Sequence, residues 1–193
     1  MGQRLNIQIE MDIPNSSESK VLANAYYHWS GYTSSAYELV KQIADSDYCN
    51  VECTIMDPVE KAIRLLEATG AGLTKDEFTD TYPESKYKLS TNRNDGLIAI
   101  SEAEMTETQN WEEARVTINL STNMVDMGGV YFLDEVDEED EDETLEDIPE
   151  LEYDLNTSIH DFTKVYNEFH EKIESKNNYK VIDTHKQVLG IIG

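Results

Sequence analysis

Cations are scarce in this chain. Fifteen Lys and Arg stand against 40 Asp and Glu in 193 residues, a formal net charge of −25 with an isoelectric point near 4.2. Binding DNA, RNA or anionic lipid requires basic groups that displace counterions, so this balance argues against all three as direct ligands. Long apolar runs are absent as well. No stretch of about 18 apolar residues could span a bilayer, and mean hydropathy is −0.58. The opening Met1-Gly2-Gln3-Arg4 has no basic segment followed by an apolar signal core. Asn6 stands where a myristoylation signal wants Ser or Thr. Cysteine is limited to Cys49 and Cys53, which fits reduced thiols and an expected cytoplasmic location, the host cytoplasm for a phage-encoded protein.

The metal and nucleotide patterns are missing too. Structural zinc wants about four ligands, and Cys49 and Cys53 have no second cysteine pair while His160, His170 and His185 are scattered. A calcium loop needs spaced acids around a central Gly, and Asp137 to Glu143 contains none. Gly70-Ala71-Gly72 closes a helical pattern and does not open one, so it is no phosphate loop. No metal, cofactor or catalytic group is expected.

What is present is a core-forming pattern, with 39% hydrophobic residues, 11 Tyr, 4 Phe and 2 Trp. Leu5, Ile7, Ile9, Met11 and Ile13 alternate with Asn6, Gln8, Glu10 and Asp12, the period of a half-buried strand. Pro14 to Ser17 ends it, and Val21 to Trp29 reads as the return strand of a hairpin. Ser34 or Ser35 opens a helix to about Ser46, with Tyr37, Val40, Ile43 and Ala44 on one face. Asp57-Pro58 is a helix start, followed by Val59, Ile63 and Leu66 on one side and by Gly70 and Gly72 at its end. Residues 73–95 read as a polar connection with little core. Gly96 to Ile100 is a short buried strand, and Ser101 to Trp111 a third helix or an ordered loop. Val116, Ile118 and Leu120 alternate again, with Val130 to Leu133 after Gly128-Gly129 as a second hairpin. Ser158 caps an amphipathic helix carrying Ile159, Phe162, Val165, Tyr166, Phe169 and Ile173. Tyr179, Val181 and the 188–192 tail extend the core.

These elements predict an α+β fold, an antiparallel sheet from two hairpins with helices packed on one face and an acidic surface segment. The chain divides into a core domain over 1–133, an acidic segment over 134–157, and a C-terminal helix and tail over 158–193 that pack on the core. Fourteen of the acids fall between Asp134 and Asp154, and no Lys or Arg occurs between Arg115 and Lys164. The remaining 26 acids still exceed the 15 bases, so the acidic bias belongs to the whole molecule.

The opening Met1-Gly2-Gln3-Arg4 and the run Tyr27-His28-Trp29-Ser30-Gly31-Tyr32 resemble a loosely defined family of small phage and bacterial proteins. That family starts M-G-x-R and carries H-W-x-G-Y soon after. Asn92 to Ile100 followed by Trp111-Glu112-Glu113 looks similar as well. The resemblance covers residues 1–133 and implies a phage-like source but no activity. The family's common form has Asp where Ser30 stands here.

Tyr26 to Tyr32 is the densest cluster of functional side chains. An enzymatic reading makes His28 an acid–base group beside Ser30, with Arg4 near it, in a small hydrolase. The structural reading puts Trp29 and Tyr27 in the core, hydrogen-bonds His28 and lets Gly31 turn the chain. The structural reading is favoured, since no acid–His–nucleophile arrangement is legible.

Charge is then the main functional signal. Rows of carboxylates can stand in for backbone phosphates, which lie about 1.7 Å apart along a duplex axis, and can steer the protein to a basic channel. The expected function is a DNA-mimic inhibitor that blocks a basic DNA-binding host protein, such as a sliding clamp, nuclease, restriction or CRISPR effector, or RNA polymerase. The expected contacts are Asp134, Glu135, Asp137, Glu138, Glu139, Asp140, Glu141, Asp142, Glu143, Glu146 and Asp147, with Tyr153 as an aromatic anchor. A homodimer through Val188 to Ile192 would double that surface. The alternative is an accessory protein whose acidic run only keeps it in solution.

Overall fold

Alternation in the first strand decides the architecture. A computed structural model describes residues 4–31, 33–81, 87–90, 96–127 and 156–171. Strand β1 (Leu5–Asp12) pairs antiparallel with β2 (Ser19–Tyr27), Leu5 opposite Tyr27 and Ile7 opposite Ala25, as the hairpin reading expects. A register shift between Ile9 and Glu10 adds one residue to β2. The turn places Asn15 at φ 63°, a conformation that Asn tolerates better than most residues.

Two helices follow, α1 (Thr33–Ala44) and α2 (Pro58–Glu67). Asp57 caps α2 by accepting from the Val59 and Glu60 N–H groups at 3.0 and 3.1 Å, an arrangement worth about 1 kcal/mol. Then come β3 (Gly72–Leu73), α3 (Lys75–Thr81), β4 (Leu97–Ala99), α4 (Glu102–Gln109), β5 (Ala114–Asn119) and β6 (Met124–Asp126). The described chain closes with β7 (Asn156–Ser158), a 3-10 turn (Ile159–Asp161) and helix α5 over 162–171. Ser158 caps that turn by accepting from the His160 N–H at 3.3 Å.

The fold is α+β, a seven-stranded sheet in the order β3-β4-β2-β1-β5-β6-β7 with helices around it. The sheet is mixed. Each hairpin is antiparallel, but the two join through a parallel pair, with Leu5 beside Ala114 and Ile9 beside Ile118. A parallel neighbour needs a crossover, and the whole span from α1 to α4 supplies it.

Leu5, Ile7, Ile9, Ala25, Tyr27, Val116 and Ile118 form the core face with Tyr37, Val40, Ile43, Ile63 and Leu66 from α1 and α2. Helix α5 seats on α1, where Tyr37 stacks on Phe169 at 4.2 Å between ring centroids and lies 5.6 Å from Phe162. Helix α4 lies on the opposite face, so helices cover both sides. It is reached by Asn6 and Asn24, which alternate with Ile7 and Ala25.

Several sequence expectations change, beginning with the antiparallel sheet and the single helical face, which give way to a mixed sheet with helices on both faces. The 73–95 stretch carries β3 and α3, and Leu73 and Tyr87 are buried. It looked coreless because its apolar residues are too far apart to show a period. The second hairpin turns at Leu120–Asn123, with Asn123 at φ 57°, and its return strand is Met124–Asp126. The Gly128-Gly129 signal and Val130 to Leu133 lie outside the described residues. Asn6 and Gln8, read as solvent-facing, are 0% and 4% exposed, and α4 covers Asn6 through Thr108.

Candidate functional site

The acidic segment departs from and rejoins the sheet at paired positions. In β6, Asp126 lies opposite Thr117 of β5 and opposite Asn156 of β7. The connection over 127–155 is therefore rooted in two adjacent strands. From Met124, opposite Asn119, to Asp126, opposite Thr117, β6 runs toward the Ala114 end of β5. Ala114 lies beside Leu5, and Leu5 faces Tyr27. Strand β6 thus runs toward the end of the sheet where β2 finishes in Tyr27, followed by His28 and Trp29. The ends of β6 and β2 are three strand spacings apart across the sheet, about 14 Å, and three residues, about 10 Å, apart along it. Asp134, Glu135, Asp137 to Glu143, Glu146, Asp147 and Tyr153 all lie outside the described residues, as does the 188–192 tail.

That end of the sheet carries a chain of rings. The Tyr26 hydroxyl and His28 Nδ1 are hydrogen-bonded at 2.9 Å, Trp111 meets Tyr26 edge-on at 5.6 Å, and Trp29 meets His28 edge-on at 4.9 Å. Tyr27 is buried, and its hydroxyl lies 2.5 Å from Thr69 Oγ1. Burial pushes the Tyr27 phenol well above its ordinary range. His28 is hydrogen-bonded as the structural reading expects. Trp29, expected in the core, is instead 52% exposed. Strand alternation would have put it beside Tyr27, but β2 ends at Tyr27 and the chain bends at 28–29, which breaks the period. No hydrogen bond joins His28 to Ser30 among the described residues.

A polar seam holds α4 against the sheet. Asn6 Nδ2 donates to the Thr108 carbonyl at 3.1 Å and to Glu112 Oε2 at 2.9 Å. Asn24 Nδ2 donates to Thr108 Oγ1 at 3.0 Å. The N–H groups of Glu113 and Ala114 donate to the Arg4 carbonyl, and Glu113 Oε2 accepts from the Arg4 N–H. Among the described residues, buried Asn6 Oδ1 and Gln8 Nε2 have no hydrogen-bond partner.

A second cluster joins the starts of α3 and α4. Thr74 Oγ1 accepts from the Glu77 N–H at 3.3 Å and donates to Glu104 Oε2 at 2.9 Å. Ser101 Oγ accepts from the Glu104 N–H at 3.3 Å, and the Ser101 N–H donates to Glu77 Oε1 at 2.7 Å. Burial, then the hydrogen bond and charge of Glu77 and the charge of Asp76, push the Glu104 carboxyl up to about 7, against the Thr74 donor. Sequence reasoning missed this cluster, although two S/T-x-x-E patterns, Thr74 to Glu77 and Ser101 to Glu104, mark it.

Elsewhere, buried Lys61 donates its Nζ to the Cys49 carbonyl at 3.3 Å. Burial raises the Cys49 thiol, the charge of Lys61 lowers it and that of Asp45 raises it. Among the described residues, no group of three His, Cys, Asp or Glu could hold a metal ion, and no helix is long and apolar enough to cross a membrane.

Four of the described cations are paired with near neighbours. Lys41 pairs with Asp45, Arg64 with Glu60 and Glu67, Arg115 with Glu112 and Lys164 with Glu168. Arg64 also lies over the Tyr87 ring at 4.5 Å. Pairing within one helix or turn leaves the acid surplus uncompensated over the rest of the surface. Comparisons with protein families, with curated proteins and with solved structures find no match.

Proposed function

We propose that this protein is an acidic binding protein that occupies the basic DNA-binding surface of a partner and keeps DNA away from it. The observation that carries the reading is the shared end of the sheet. Both roots of the segment holding fourteen acids point toward the end where Trp29 stands exposed. The two features divide the work of binding. Carboxylates supply long-range attraction and select against nucleic acid and other anions. An exposed Trp supplies the short-range desolvated anchor that charge lacks, since Trp is enriched where interface energy concentrates. Trp29 would act as an anchor alongside Tyr153. The resemblance of Met1 to Arg4 and of His28 to Tyr32 to small phage and bacterial proteins favours a partner in a bacterial cell.

Competition is the test. The protein is immobilised, a bacterial lysate is passed over it at low salt, and retained proteins are eluted with duplex DNA. The proposal expects elution of a DNA-binding protein, with retention lost as salt screens charges beyond a Debye length of about 10 Å at 0.1 M. A retained protein that binds DNA and this chain at once, with neither affinity reduced, would show that the mechanism is not mimicry.

A further inference from the structure

The rings at the end of β2 hold Trp29 in place while leaving it in water. Trp111 meets Tyr26 edge-on, the Tyr26 hydroxyl and His28 Nδ1 are hydrogen-bonded at 2.9 Å, and His28 meets Trp29 at 88° with 4.9 Å between centroids. Tyr26 is 1% exposed and Trp29 52%. The series of rings therefore runs from the interior to the surface, and its last member is supported from below. An indole held in this way loses little freedom when a guest lies on it, so its exposed surface is preorganised for binding.

The charge around that ring is mostly negative. Leu5 lies between Tyr27 and Ala114 in the sheet. Glu113 therefore stands two strand spacings, about 10 Å, from the strand that leads into Trp29. Glu113 is exposed, and its carboxylate accepts from the Arg4 backbone N–H, a bond that brings no positive charge. The side chain of Arg4 is the opposing charge at this end. It is partly buried, and its Nε lies inside. The whole chain carries −25, so an incoming cation meets an attractive field.

We propose that the exposed indole of Trp29 is a platform for an arginine side chain of the partner, with the guanidinium stacked on the ring, a role that rests on the reading of this protein as a binder of basic surfaces. A basic surface offers two cations. Lysine presents a compact, strongly hydrated ammonium that must shed water to lie on a ring. Arginine presents a planar, weakly hydrated guanidinium that stacks on an aromatic face, and its N–H groups at the rim stay free to meet carboxylates. Trp is the best of the aromatic faces for this contact. A nucleobase also stacks on rings, but it brings phosphates that the field repels.

Hexa-arginine and hexalysine, which carry equal charge, test this. The net field acts alike on both, so the ratio of their affinities reads the side-chain contact. Wild-type protein should bind hexa-arginine more tightly. In Trp29→Leu, which keeps an apolar side chain and removes the aromatic face, the ratio should fall by about two- to fivefold. Trp29→Phe, which keeps a smaller ring, should fall between them. In wild type, intermolecular NOEs should join arginine δ-methylene protons to the Trp29 ring, a reading that no folding failure of a variant can confound. A ratio unchanged in Trp29→Leu, or arginine contacts that map away from Trp29, would overturn the platform. Either result leaves competition with DNA intact, because duplex DNA would still elute the retained lysate protein. A retained protein that binds DNA and this chain at once strikes the mimicry reading instead, whatever the peptide ratio.

Discussion

Glu77 accepts the backbone N–H of Ser101 at 2.7 Å, and Ser101 is the residue whose hydroxyl caps the helix carrying Glu104. In an ordinary capping box the Glu three residues into a helix folds back on its own cap. Here the two boxes are crossed. Glu77 serves the cap of α4, and Glu104 takes the hydroxyl of Thr74, which caps α3. Ser101→Ala and Thr74→Ala should each cost about 1 kcal/mol as lost caps. Because the boxes share partners, the double variant should depart from additivity by about 0.5 kcal/mol or more. Urea denaturation of the four proteins at pH 6 measures the cycle, and simple additivity would mean that the helices are capped independently.

Gly96 should tolerate replacement poorly. It sits at φ +91°, and a Cβ there would lie 2.5 Å from Tyr27 Cε1 and 2.8 Å from Ala71 Cβ. Tyr27 is buried and cannot withdraw. Gly96→Ala should therefore cost about 2–5 kcal/mol, strain and overpacking together. Gly70 has a similar φ of +86° but open space around it, so Gly70→Ala should cost only the strain, about 1–2 kcal/mol. At this size each kcal/mol moves Tm by about 2–4 °C. Equal Tm losses in the two variants would remove the packing argument.

How far the sequence could be read depended on whether one element sufficed to see a signal. The strand opening at Leu5 and the Asp57-Pro58 start are local, and both are found where the pattern put them, although Ile13 lies past the strand end and is exposed. The α+β class follows from such local patterns. The pairing of β1 with β5 joins residues more than a hundred positions apart, and no local period announces it. Asn6 and Gln8 looked solvent-facing because burial by α4 is a tertiary event. Trp29 looked like core because alternation was carried two residues past the strand end. The crossed caps were written in the sequence as two S/T-x-x-E patterns, but their exchange becomes visible only when both helix starts meet.

Phe162 should fix the seat of α5. It is fully buried and lies against Tyr37, so Phe162→Ala should destabilise by about 3–5 kcal/mol. Tyr166 contributes differently. Its hydroxyl donates to Glu38 Oε2 at 2.5 Å, and that bond, with burial and the Glu38 charge, pushes its phenol up to about 12. Tyr166→Phe should cost only about 0.5–1.5 kcal/mol. Ultraviolet titration should show one fewer late-ionising phenol in that variant, and an unchanged titration curve would mean that the Glu38 contact does not hold in solution.

The proposed division between charge and anchor predicts two kinetically distinct defects. Replacing the acids of Asp137 to Glu143 by Asn and Gln should slow association with the captured partner and flatten its salt dependence, because dispersed charges act chiefly on encounter. Dissociation should change little. Trp29→Ala should do the reverse. Trp29 is half exposed, so its loss should shift stability by no more than about 0.5 kcal/mol, as for other surface substitutions. If it fills a pocket on the partner, dissociation should accelerate by about 30-fold, the equivalent of 2 kcal/mol for an interface hot spot. Stopped-flow association and dissociation at two salt concentrations separate the effects, and the combined variant should show both. An unaltered dissociation rate in Trp29→Ala would remove the anchor from this end of the sheet. Association unaffected by the neutralised acids would reduce that segment to a solubilising role, and the two failures can be told apart because each reads a different rate constant.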